Sequence, residues 1–142
     1  MASIIRETTI ATNPEEAWEA LADFGRVHER LAAGFVTDCA LDGDGVRIVT
    51  FVGGATAREQ LVGVDGASRR LAYTVVDGPL PASHHNASAQ VVDDGRTTRF
   101  VWVTDVLPDE LAGRVAELMD RGIDAIKSTL EAARTPPGGV GP

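Results

Sequence analysis

The chain has 142 residues, 44% of them hydrophobic and 24% charged, which suits one domain with a buried core and excludes a disordered or fibrous protein. Its net charge of −8 opposes contact with a phosphate backbone, and no apolar run approaches the roughly 18–20 residues that span a bilayer, so neither nucleic acid nor stable membrane insertion is expected. The single cysteine, Cys39, excludes an intrachain disulfide and, with an N-terminus unlike a signal peptide, points to a cytoplasmic protein.

Residues 3–11 alternate and are β-branched, which predicts a first strand. In "NPEEAWEALADFG", Asn13 is a helix cap, Pro14 suits the first position and Glu16 stands three after the cap. Trp18, Leu21 and Ala22 share one face of that helix, and "RVHERLAA" reads as a second short helix stopped near Gly34. Six strand-like stretches follow: "GFVTDCAL", "VRIVTFV", "ATAREQLVGV", "RRLAYTVV", "HHNASAQVV" and "RTTRFVWVTDV". "DGDG", Gly53-Gly54, "DGAS" and "DDG" are turn signals between them, and "DGPLPAS" is a proline-broken loop. Tight links imply an antiparallel meander.

From Pro108 the period lengthens to about 3.6, with Leu111, Val115, Leu118, Met119, Ile126 and Leu130 on one stripe. This predicts one amphipathic helix of roughly 25 residues. The tail, 135–142, is proline- and glycine-rich and is expected to be disordered, leaving 1–134 as a single domain. Only the last helix is long enough to cover a sheet of about seven strands, so the class is α+β.

Strand alternation assigns faces. In "HHNASAQV" the apolar set is His85, Ala87, Ala89 and Val91, so His85 turns inward and His84 outward with Asn86 and Ser88. The small alanines leave room. Leu71, Tyr73 and Val75 form one inner set, and Phe100, Trp102 and Thr104 another, facing the helix. Phe35, Thr37, Cys39 and Leu41 are the inner set of their strand. In "ATAREQLVGV" and "GVRIV" alternation alone leaves the faces open.

Adjacent strand histidines diverge and cannot share a metal, and His28 is distant in sequence, so no metal or other cofactor is expected. A nucleophilic pairing of Cys39 with a histidine is weaker than a core role for the thiol. Gly122, inside the long helix, costs about 1 kcal/mol against alanine, so it either makes room for a ligand or allows close sheet packing.

"ATNPEEAWEALADFGRVHERL", "GDGVRIVTFVGGATAREQLVGVD", "RRLAYTVVDGPLP" and "GRTTRFVWVTDVLP", in that order, resemble the helix-grip fold of the START/birch-pollen-allergen (SRPBCC) superfamily. The branch is similar to the bacterial polyketide cyclase/dehydrase and lipid-transport families. The resemblance implies a curved antiparallel sheet wrapped around the long helix, with a small-molecule cavity between them. It also implies that Glu59 of "AREQL" faces the cavity. "GDGVR" is similar to a strand opening whose basic residue points into the pocket, which places Arg47 inward with Val49 and Phe51, although composition alone would leave it a solvated surface arginine.

An inward arginine needs a counter-charge, and Glu59 would supply it. The ligand set implied is Thr37, Arg47, Phe51, Glu59, Tyr73, His85, Ala87, Phe100, Trp102, Met119, Gly122 and Ile126, around a hydrophobic or aromatic small molecule. Loops 52–56 and 78–83 match the positions that gate related cavities, without the gate and latch sequences of the plant receptors. Three functions are compatible. The first is binding or transport of the ligand. The second is a polyketide cyclase or dehydratase with His85, Arg47 or Glu59 moving protons. The third is a partner-binding domain or homodimer with a vestigial cavity.

Overall fold

The computed structural model describes residues 2–133, and the expected disordered tail lies outside them. Strand β1 (Ala2–Ile10) leads into helices α1 (Pro14–Ala22) and α2 (Val27–Arg30), joined by a 3-10 turn at Phe24–Arg26. Strands β2 (Val36–Leu41), β3 (Val46–Phe51), β4 (Thr56–Asp65), β5 (Arg70–Asp77), β6 (His84–Asp93) and β7 (Thr98–Leu107) follow. A second 3-10 turn, Asp109–Leu111, opens α3 (Ala112–Ala133).

The start of α1 follows its sequence signals. Pro14 fills the first helical position, and the Asn13 Oδ1 accepts the Glu16 N–H at 2.8 Å, satisfying one of the backbone donors a helix leaves open. Ala17, Ala20 and Leu21 form its buried face, with Trp18 half-buried; Ala22 is exposed.

The seven strands form one antiparallel sheet in the order β1-β7-β6-β5-β4-β3-β2. The chain therefore meanders from β2 to β7 and the first strand closes onto the last. Turn glycines permit the reversals: Gly43, Gly45, Gly53 and Gly54 all sit at positive φ, where a Cβ would clash with the backbone.

Helix α3 lies across the inner face. Val115, Met119, Gly122, Ile126 and Leu130 recur three to four residues apart on its buried side, as a helix requires, with Ile123 beside Gly122. Polar groups fasten its flanks: Arg6 Nε donates to Asp120 Oδ1 at 2.5 Å, Lys127 Nζ to the Thr9 carbonyl at 2.6 Å, and the Ala33 N–H to Thr129 Oγ1 at 3.0 Å.

The inner faces expected for β3 to β7 are the buried ones. Strand β2 is the exception. A register shift between Val36 and Asp38 inserts Thr37 as an extra residue, so Val36 and Cys39 both turn inward while Thr37 is exposed. The expected Thr37 position inside the cavity is thus corrected by the bulge. Leu41 shares the inner face but lies at its margin, 64% exposed, against Gly25.

Candidate functional site

The sheet and α3 do not close on each other completely. A cavity of about 110 Å³ lies between them, walled by Val49, Leu71, Val75, Ala89 and Phe100 from the sheet and by Val115, Met119, Gly122 and Ile126 from the helix. Leu21, Val27 and Leu31 of α1, α2 and the residue after them close one end. A second compartment of about 150 Å³, bordered by residues 76–80 and Ala82, shares the walls Phe51, Glu59, Val75, His85 and Leu118 with the first. A further hollow of about 280 Å³ lies between Val52 and Ala55, Pro79 and Leu80, and the α3 side chains Arg114, Glu117 and Arg121. The two loops singled out in the sequence therefore border the space outside the cavity. An apolar void of about 150 Å³ accommodates a benzene ring. The inner compartment alone is smaller than that, so a ligand larger than one ring must extend past Phe51 and Leu118.

In this apolar shell stands one ion pair. Arg47 and Glu59 are directly opposed in the β3–β4 register, which brings their Cβ atoms to one face. Arg47 Nε donates to Glu59 Oε1 at 2.8 Å, and each residue is only 6% exposed. Arg47 Nη1 donates to the Phe24 carbonyl at 3.1 Å, at the bend between α1 and α2 where that oxygen has left the α-helical ladder. The guanidinium carbon lies 3.9 Å from the centroid of the Phe24 ring and 5.2 Å from that of Tyr73, so aromatic faces replace the water it has lost. Attraction to Glu59 and these contacts offset the cost of burying the charge.

Neutral polar groups surround the pair. Burial raises the Tyr73 phenol well above its ordinary value, with the Glu59 charge adding to the effect, so it stays a hydroxyl at neutral pH. His85 lines both compartments; burial, and then the neighbouring His84, lower its pKa and favour the neutral imidazole. His84 turns outward, its Nε2 2.6 Å from Asn86 Oδ1. The Cys39 thiol is half-buried, raised by burial, and donates weakly to the Phe24 carbonyl at 3.8 Å. Among the described residues no group of three or more His, Cys, Asp or Glu is placed to hold a metal ion, and no helix is long and apolar enough to cross a membrane.

Of the residues singled out in the sequence, Arg47, Phe51, Glu59, Tyr73, His85, Phe100, Trp102, Met119, Gly122 and Ile126 all line the inner compartment. Ala87 does not. It is fully buried between Tyr73 and Thr104 in the register, and Ala89, two residues on, supplies the open wall instead. Gly122 answers both readings of that position: it lines the cavity, and a Cβ there would lie 2.8 Å from Trp102 Cζ3 and 3.2 Å from Phe35 Cε2. The sequence reading placed Phe35 on an inner face but missed the end wall, Leu21, Val27 and Leu31, together with Val36. Their helical spacing showed an apolar face but not that it caps a cavity.

A curved antiparallel sheet gripping one long helix, with a cavity between them, defines a helix-grip protein. The chain belongs to the polyketide cyclase/dehydrase and lipid transport family, whose model matches residues 1–131. Solved structures agree on the fold. An uncharacterised protein of Bacillus thuringiensis is 20% identical, with a TM-score of 0.80 over 91% of this chain and 98% of that one. Ginseng (Panax ginseng) major latex-like protein 151 is 18% identical, with a TM-score of 0.79 over 95% and 98%. The di-domain ARO/CYC protein BexL of the BE-7585A biosynthetic pathway is 12% identical, with a TM-score of 0.80 over 96% of this chain and 48% of that one. No curated protein matches the sequence.

Proposed function

We propose that the protein binds a hydrophobic or aromatic small molecule between the sheet and α3, with Arg47 and Glu59 holding its polar end. The observation that carries this reading is a charged pair at 6% exposure lining a space whose other walls are almost all apolar. An apolar site with few convergent polar groups is the usual form of a small-molecule site. A pair needed for stability alone could be replaced by apolar side chains at little cost. Membership of a family described by cyclisation, dehydration and lipid transport supports the same direction. Native mass spectrometry after exposure to a library of lipids and aromatic ketides tests it: the expected result is a retained one-to-one adduct, and a library without adducts contradicts it.

A second reading is a cyclase or dehydratase working in the same cavity. It is favoured by the neutral His85 imidazole and the Glu59 carboxylate lining the same two compartments, an arrangement able to take and return a proton. Turnover of an aromatic ketide that falls at least tenfold in His85→Ala would support it, within the range general acid–base groups contribute. Turnover unchanged in His85→Ala and Glu59→Gln would remove it.

A further inference from the structure

Among the described residues, Arg47 and Glu59 are the only formally charged side chains lining the inner compartment besides the titratable His85. Their charges are opposite and 2.8 Å apart, so they cancel. Their hydrogen-bonding capacity is not used up. Arg47 spends Nε on Glu59 and Nη1 on the Phe24 carbonyl, and Glu59 spends Oε1 on Arg47. Among the described residues, Nη2 of Arg47 and Oε2 of Glu59 make no hydrogen bond to protein, yet neither is sealed off. The partnerless polar side-chain atoms without accessible surface are His28 Nδ1 and Arg99 Nε. One donor and one acceptor therefore keep accessible surface, on two residues that line the cavity and that the strand register sets opposite each other.

Resting on the binding reading above, we propose that the cavity selects an uncharged ligand whose head sets an acceptor beside a donor, as a carboxamide does, and rejects a carboxylate. A carboxamide oxygen would accept from Arg47 Nη2 while its N–H donates to Glu59 Oε2, and the site would stay neutral. A carboxylate would compete with Glu59 for one guanidinium and leave a net negative charge among apolar walls, which two carboxylates at close range resist. The neutral phenol of Tyr73 and the lowered pKa of His85 offer no compensating positive charge. An unpaired arginine would make the opposite choice, since guanidinium and carboxylate are matched in charge and geometry.

Titration calorimetry with 4-propylbenzamide and 4-propylbenzoate at neutral pH separates the possibilities. The wild type is expected to bind the amide more tightly by about tenfold or more, the equivalent of one paired charge at modest dielectric. Glu59→Gln leaves a lone guanidinium and should reverse the order. A wild type that prefers the benzoate or binds both equally, or a folded Glu59→Gln that keeps the amide preference, overturns the proposal. Binding of neither probe to the wild type overturns the proposal, while the library screen decides the binding reading separately. The wild type supplies a second readout should Glu59→Gln fail to fold. If only the neutral acid enters, benzoate affinity rises about tenfold for each pH unit lowered above its own carboxyl pKa, while the amide controls for the protein's own groups. A benzoate profile parallel to the amide's contradicts the proposal.

Discussion

Arg47 and Glu59 face each other across neighbouring strands at 2.8 Å, buried together in the apolar wall of the cavity. Each makes the other's position tolerable. Arg47→Met should therefore destabilise the protein by about 3–5 kcal/mol, because it strands the Glu59 charge out of water. The double variant Arg47→Met/Glu59→Leu should recover most of that loss, less the Phe24 contacts of the guanidinium. Urea unfolding of the four members of the cycle measures the coupling. A double variant no more stable than Arg47→Met would mean that the stranded charge is not the cause.

At Gly122, α3 passes close to Trp102. A methyl group would sit 2.8 Å from the indole ring and 3.2 Å from Phe35, nearer than side chains ordinarily approach. Gly122→Ala should gain up to about 1 kcal/mol of helix propensity and lose about 1–3 kcal/mol to overpacking, for a net loss. The displaced indole would also change the fluorescence of Trp102, best read in a Trp18→Phe background. A stabilised variant with unchanged emission would show that the helix shifts freely and that the contact does not set its position.

His85 makes stability depend on pH. Its folded pKa lies below the ordinary value near 6.5, so the unfolded chain takes up the proton first. The contribution is complete above the unfolded pKa and declines as pH falls through the folded one. Urea midpoints taken at about pH 7.5 and pH 5.5 should therefore fall more in the wild type than in His85→Gln. Equal falls would show that His85 is not the source of the pH dependence.

Much of this arrangement was legible in the chain. Period-two alternation alone separated His84 from His85, because the alanines and Val91 mark the inner face. Alternation could not place Arg47 or Glu59, since both faces of their strands carry apolar and charged residues; the resemblance to helix-grip sequences did. The misplacement of Thr37 has a local cause. A bulge adds one residue to a strand without a distinctive residue type, so the parity that holds for Cys39 and Leu41 does not carry back through Thr37 to Val36. Ala87 and Ala89 are indistinguishable by composition and by face. Only the register with Tyr73, Thr104, Leu71 and Trp102 shows which one meets open space.

Ala89 provides the most direct test of a ligand between sheet and helix, because it lines the inner compartment with a side chain small enough to leave it open. Ala89→Leu would fill that space at a cost of about 1–3 kcal/mol, which is tolerable for most folded domains. The measurement is calorimetric titration of 4-propylbenzamide into the wild type and Ala89→Leu, each first shown to be folded by its near-ultraviolet circular dichroism. A site in this cavity predicts saturable one-to-one binding by the wild type and a loss of about tenfold or more in the variant, the scale of one or two lost methylene-sized contacts. Equal affinity in both proteins, or no binding to the wild type, would contradict it.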